Sequence, residues 1–396
     1  MASAFLKEEE MGNTIRIMME LMRCSALGIK PEAELLNSVS KDMLPYMYGI
    51  AYEHDSEHLL GNILDKYGIL DNDEVSNKFR REVFEAIYRY EKLKYEYERI
   101  CESFEENNIA FIPLKGSVFR QFYAEPWLRT SCDADILVQE TDLKKAEEIL
   151  KKLSFDKTHE SAHDVMYTCG EGVIIELHFS LYESDDEGNT AKILKDVWKF
   201  AKPREGWKYY HVLDDSFFYF YHIAHAAKHF AIGGCGIKPV LDLHILYNSK
   251  KCETDEIKNL LKQSGLERFE FAFKNLSEVW FGIRDHDEVT VAMEEFILYG
   301  GVYGNENQHL LLRKRRVGGK IGYVFSRIFV SRCELEYEYP TLKKHPLLLP
   351  FFEVIRWLKF ILKGDKKHSK RRYEIVRDIP EDKLQKVDFL FNKIGL

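Results

Sequence analysis

The sequence predicts an α+β fold: a small mixed-sheet unit spanning about 107–185, set between N-terminal and C-terminal helical regions. Three observations carry this. Apolar residues recur at helical spacing through 1–106 and again beyond 186. The stretch between them breaks into short runs of β-branched and aromatic residues divided by Gly, Pro and Asn. The chain of 396 residues is 45% hydrophobic, ample for a core and long enough for more than one domain. The divisions expected are a helical region 1–106, the mixed unit 107–185, a helical domain 186–300, and a basic loop with a C-terminal helical segment 301–396.

Helices are expected over Thr14–Leu27, Leu35–Tyr52, His58–Tyr67 and from Asp73 to Glu106, the last stopped by Asn107-Asn108. Ile109–Leu114 reads as a strand, and Lys115-Gly116-Ser117 as a turn opening a helix through Val118–Tyr123. Asp133–Val138 reads as a second strand, followed by a helix to about Leu153 capped by Thr141-Asp142. Val165–Thr168 and Val173–His178 flank a Gly-containing turn and read as a hairpin. Asp214–Phe230, Leu241–Ser249, Thr254–Ser264 and Leu266–Trp280 read as helices, Gly300–Lys320 as a loop, and Pro346–Leu362 as an apolar helix.

Net charge is −8, so the basic excess of a non-specific nucleic-acid binder is absent overall. Seven scattered cysteines with no CxxC pair point to reduced thiols in the cytoplasm, not a disulfide framework or zinc ribbon. The N-terminus turns acidic at once and lacks the pattern of a signal peptide. No apolar run is long enough for a transmembrane span. Leu347–Leu362, with the basic run Lys363–Arg372 behind it, fits either a membrane surface or the helical region. Packing on the helical region is the favoured reading.

The chemistry centres on Asp133-Ala134-Asp135. Side chains of a strand alternate, so Asp133 and Asp135 share a face about 7 Å apart. The apolar residues after them take the strand into a core, and two carboxylates there need a counter-charge. A hard divalent cation suits them, and Mg²⁺ binds through one or two carboxylates plus phosphate oxygens. Glu176 lies in the apolar run Val173–Leu177, where an ionised carboxylate is costly unless paired or bound to metal. Beside the aspartates it completes a site for two Mg²⁺ ions, with Mn²⁺ as the substitute. Two ions about 3.5–4 Å apart clamp the attacking and leaving oxygens of an in-line displacement at phosphorus.

Leu114-Lys115-Gly116-Ser117, then Tyr123, Pro126 and Arg129, then Asp133-Ala134-Asp135-Ile136-Leu137-Val138, resembles the polymerase-beta-type nucleotidyltransferase superfamily. It looks most like the branch of bacterial proteins labelled uncharacterised nucleotidyltransferases, with its LKG…YP…R…D-x-D-x-LV pattern. Ile175-Glu176-Leu177-His178 looks like that branch's third-carboxylate strand. The likeness spans roughly 50–360, with its specific motifs in 112–178. Ala124-Glu125-Pro126 and Ser131-Cys132 depart from it. The resemblance implies a palm of the nucleotidyltransferase type. It also implies transfer of a nucleoside monophosphate from an NTP, ATP foremost, to an unidentified small molecule, protein or RNA end.

Gly116 and Ser117 are then the triphosphate-holding turn, since backbone N–H groups at a helix start bind anions. Lys115 and Arg129 are candidate phosphate contacts, and Arg129 is alternatively a partner of Asp133 or Asp135. Each has a plainer reading: Gly116 as a tight turn, Lys115 as a solvated strand end, Arg129 as a structural ion pair. His222, His225 and His229 share a helical face near Asp242. A polar cleft lining is the leading reading there, ahead of substrate contact by His225, Lys228 or Asp242. His178 reads as a partner of Glu176, and Asp164 and Glu171 as solvated. The competing functions are a nucleotide-binding or regulatory module without turnover and a toxin-type modifier of protein or tRNA.

Overall fold

The computed structural model describes residues 8–170, 172–182, 188–249, 254–317, 335, 339, 341–363 and 366–396. The chain runs as α1 (Glu8–Leu27), α2 (Ala33–Asn37), α3 (Leu44–Glu53), α4 (Glu57–Lys66) and α5 (Glu74–Glu106). Next come β1 (Phe111–Pro113), α6 (Gly116–Phe119), β2 (Asp133–Val138), α7 (Leu143–Lys152), β3 (Asp156–Glu160), β4 (Asp164–Cys169) and β5 (Val173–His178). Then follow α8 (Asn189–Leu194), β6 (Ala201–Pro203), β7 (His211–Leu213), α9 (Asp215–Ile232), α10 (Lys238–Ser249), α11 (Asp255–Ser264) and α12 (Glu267–Phe281). The chain continues with α13 (Glu288–Gly300), α14 (Glu306–Arg316), α15 (Leu349–Lys363), α16 (Lys366–Asp378) and α17 (Glu381–Ile394).

This is the expected α+β arrangement. Five strands form one mixed sheet in the order β1-β2-β5-β4-β3. Only β2 and β5 run parallel, with Asp135 opposite Glu176. Side-chain alternation then splits the sheet. Ala134, Ile136, Val138, Ile175 and Leu177 face a core shared with α5 and α7. Leu137 faces a second core reaching from Ile17 to Ile394, which unites helices from both flanking regions. The carboxylates lie on that second face.

Local chemistry explains most boundaries. The Asp73 side chain caps α5 by accepting from Ser76 N at 2.9 Å. Asn108, at φ +56°, turns the chain back so that Ile109 N reaches Phe104 O. Asp214 and Thr254 cap α9 and α11 in the same way.

Several expectations fail for identifiable reasons. The helix expected over Leu35–Tyr52 is interrupted between α2 and α3. Asp142 stands at the start of α7 but makes no side-chain cap. β3 escapes the apolar pattern because all five residues are exposed at the sheet edge. The loop expected over Gly300–Lys320 contains α14, while 318–320 lie outside the described residues. Asn305 caps this helix, Leu310–Leu312 are buried, and its basic residues gather in the last turn, where the helix dipole favours them. Those cations are mostly used internally: Lys314 is buried, Arg315 pairs with Asp388, and Arg316 donates to Ala231 O. Asp164, expected to be solvated, is part-buried and pairs with His163 at 2.9 Å; Glu171 lies outside the described residues.

α15 departs most from expectation. Packing on the helical region would turn its apolar side inward, yet Leu347, Phe351, Val354 and Leu358 are exposed. Glu353 is buried instead and pairs with Arg356 at 2.8 Å. No helix among the described residues is long and apolar enough to cross a membrane.

Candidate active site

The parallel pairing of β2 and β5 builds the centre. Asp135 and Glu176 sit side by side on adjacent strands, and Asp133 and His178 lie one alternation away on the same face. His178 Nε2 lies 2.9 Å from Asp135 Oδ1 and 3.5 Å from Glu176 Oε2. Ligand atoms of Asp135, Glu176 and His178 all fall within 4.8 Å of one another. Asp133 lies outside that tight group but lines the same cavity.

Lys115 closes the group. Its ammonium donates to Asp135 Oδ1 at 2.6 Å and approaches Glu176 Oε2 at 3.9 Å. The residue holds φ at +47°, a left-handed conformation costly for a side-chain-bearing residue. That conformation occurs between β1 and α6, where the chain must turn sharply off the sheet.

The electrostatics are uneven. Burial, then repulsion from Asp135 and Glu176, pushes the Asp133 carboxyl up to about 6. Burial would also raise Asp135, but Lys115 and the His178 hydrogen bond outweigh it and hold that carboxyl well below the usual range. Burial would lower Lys115, and the neighbouring carboxylates reverse this. Burial likewise opposes protonation of His178, but its bonds to Asp135 and Glu176 raise it. Three carboxylates thus share one ammonium and one imidazole. Asp133 makes no ion pair among the described residues.

A cavity of about 280 Å³ opens onto this face. Lys115, Gly116, Arg129, Asp133, Asp135 and Glu176, all named from the sequence, line it together. Ser117 does not; its Oγ is buried without a hydrogen-bond partner. A Cβ on Gly116 would sit 3.4 Å from Ser131, an ordinary contact, so the protein's own packing does not require glycine there. The bare position leaves room for a ligand beside the Gly116 N–H, while the N–H groups of Ser117, Val118 and Phe119 already donate to the Leu114 and Lys115 carbonyls.

Arg129 is engaged elsewhere than with the strand aspartates. Its guanidinium donates from Nε and Nη2 to the Asp242 carboxylate at 2.7–2.9 Å, and Nη1 donates to Thr130 O. The Tyr123 hydroxyl donates to the same carboxylate at 2.8 Å. Asp242 is 1% exposed and does not line the cavity, so it locks α10 to the sheet unit. His225 and His229 do line the cavity, with ring centroids 4.3 Å apart. Burial and nearby Lys115 lower both, His229 to about 4, so both are neutral. His222 is turned away and held by Pro239 O, and Lys228 is not in the lining.

The donor set suits a divalent cation: two carboxylates and an imidazole converge, and a third carboxylate stands nearby. Lys115 supplies part of the counter-charge a cation would bring.

The opposite wall escaped sequence reasoning. Asp55, at the α3–α4 corner, pairs with Lys238 at the start of α10, and Lys238 also donates to Thr130 Oγ1 at 3.1 Å. Tyr303 completes the mouth. Its backbone packs so closely on Gly234 that a Cβ there would fall 2.2 Å from Tyr303 C. The Gly-rich runs 233–236 and 300–304 were the available signal.

No curated protein matches the chain. Among solved structures, it is similar to the solution structure of the antibiotic-resistance factor ANT(2'')-Ia. That similarity is 11% identity over 43% of this chain and 90% of that one, with a TM-score of 0.32. Residues 46–282, more than half of the chain, match the family described as "Uncharacterised nucleotidyltransferase". The chain therefore belongs to that nucleotidyltransferase family.

Proposed function

We propose that this chain transfers a nucleoside monophosphate from an NTP, ATP foremost, to an acceptor hydroxyl, releasing pyrophosphate. The new bond joins the acceptor oxygen to the α-phosphorus as the bond to the pyrophosphate oxygen breaks. The observation that carries this reading is the convergence of Asp133, Asp135 and Glu176 on one cavity beside the Lys115-Gly116 turn.

Asp135 and Glu176, with Asp133 beside them, would hold Mg²⁺, or Mn²⁺ in its place. A cation bound there would lower the acceptor hydroxyl's pKa, so that its proton leaves to solvent as the new bond forms, and would neutralise charge on the phosphates. His178 fixes the Asp135 carboxylate through its Nε2 contact. Lys115, whose ammonium bonds Asp135, would be the side chain to meet the phosphates at this turn. The Gly116 N–H that opens α6 donates to a phosphate oxygen, and the bare Gly116 lets that oxygen approach. Arg129 holds the cavity wall through its pair with Asp242. The five described cysteines are free thiols, which supports a cytoplasmic setting.

The test supplies each α-³²P-labelled NTP with Mg²⁺ and a cell extract as the acceptor pool. Label should move to one acceptor class, separable by size and nuclease sensitivity. Asp135→Ala should reduce transfer by about a thousandfold, equivalent to about 4 kcal/mol of barrier. Undiminished transfer by that variant refutes the site. No transfer with intact NTP binding favours the regulatory-module alternative.

A further inference from the structure

We infer that α15 is a membrane-surface element whose apolar side rests in an anionic lipid monolayer. The first observation is that it turns an apolar stripe to solvent while a carboxylate is buried. A helix at a protein surface normally buries its apolar stripe and gives its charges to water. Here Glu353 is 6% exposed and pairs inward with Arg356 at 2.8 Å. Leu347 just before the helix, and Phe351, Val354 and Leu358 on it, are 94%, 59%, 47% and 52% exposed.

These four recur at spacings of four, three and four residues, so they form one stripe along the helix. A continuous apolar stripe facing outward marks an interaction surface, whereas scattered exposed apolar residues do not.

The second observation identifies the partner. The sequence after Leu362 places Lys363, Lys366, Lys367, Lys370, Arg371 and Arg372 within ten residues, against Asp365 alone. This concentration stands out in a chain whose net charge is −8. An apolar helical face flanked by clustered cations fits acyl chains below and anionic headgroups beside it. Arg371 and Arg372, at the end of the run, already pair with Glu306, but a protein partner or a second copy would match the apolar stripe without drawing on the four lysines that precede them in sequence. The helix does not span the bilayer; it lies on it. The inference is independent of the transfer chemistry, because none of these residues lines the carboxylate cavity.

The experiment is co-sedimentation of the full chain with vesicles of phosphatidylcholine alone or with roughly 30% phosphatidylglycerol, at low and high salt. Binding should require the anionic lipid and weaken as salt rises. The triple variant Phe351→Asn, Val354→Asn, Leu358→Gln should bind at least about tenfold more weakly. Its melting temperature and nucleotidyl transfer should be unchanged, because the substituted side chains face outward. Lys366→Glu with Lys367→Glu should lose the anionic preference. Wild type that ignores anionic vesicles overturns the inference, as does a triple variant that binds equally well. Wild type that dimerises through this face, with the triple variant monomeric and neither binding lipid, assigns the stripe to self-association and also overturns it.

Discussion

Two buried carboxylates, Asp242 and Asp135, sit in contrasting surroundings. Asp242 receives three hydrogen bonds from Arg129 and one from Tyr123, so its charge and lone pairs are matched. Asp135 is bonded to Lys115 and His178, but Asp133 and Glu176 crowd the same face. The matched pair joins two parts of the fold. The unmatched group opens on a cavity. Buried negative charge in excess of its partners is costly, and here the excess lies where a cation and phosphates can enter.

The strongest way to break this comparison is at the lock. Asp242→Asn leaves the Arg129 guanidinium buried without a counter-charge. Removing one partner of a buried pair typically costs about 3–5 kcal/mol. Urea denaturation should show a loss of that order, together with loosening between α10 and the sheet unit. A loss under 1 kcal/mol, on the scale of an exposed pair, would show that Arg129 finds another partner and that the lock is no joint.

The two regions were unequally legible in the sequence. Asp133, Asp135 and Glu176 were readable because strand alternation fixes which side chains share a face, and carboxylates in apolar runs advertise a cost. The Arg129–Asp242 pair was not, because its members lie far apart in sequence and only the packing of α10 joins them. Asp55, Lys238 and Tyr303 were hidden for the same reason. α14 was missed because charge density and flanking glycines suggested a loop, while Leu310–Leu312 alone were too short a run to reveal a buried face. The exposed apolar stripe of α15 was invisible because periodicity gives a stripe but not the side on which the protein lies.

Glu57 tests whether unmatched charge matters without a cavity. It is buried, its Oε2 has no hydrogen-bond partner, and it lies outside the carboxylate cavity. Burial, with Asp55 and Glu82 nearby, raises it to about 7. A carboxyl raised in the folded state stabilises below its unfolded pKa and loses that contribution as pH climbs through the folded value. Glu57 should therefore cost up to about 3 kcal/mol between pH 4.5 and pH 7 and above. Neighbouring His54 and His58, lowered to about 4 by burial, act oppositely and lose stability as pH falls from 6.5 toward 4. Glu57→Gln should gain on wild type as pH rises from 4.5 to 8 in parallel urea titrations, with nucleotidyl transfer unaffected. Superimposable pH profiles would mean that Glu57 is not protonated in the fold.

The smallest effect bears on the carboxylate face itself. Asp133 is pushed up to about 6 and makes no ion pair among the described residues. At pH 7.5 it is mostly ionised and repels Asp135 and Glu176. Asp133→Asn keeps the shape and removes that repulsion, so without divalent cation the variant should be more stable by about 1 kcal/mol, a gain of the size seen when a functional site is relieved of unfavourable charge. Adding Mg²⁺ should reverse the order. A ligand that binds only the folded state stabilises it by about 2.7 kcal/mol at a hundred times its dissociation constant, and wild type holds the fuller set of ligands. Thermal melts of both proteins across a Mg²⁺ titration should therefore cross. Curves that stay parallel would mean Asp133 is no part of the cation site, leaving Asp135, Glu176 and His178 to form it alone.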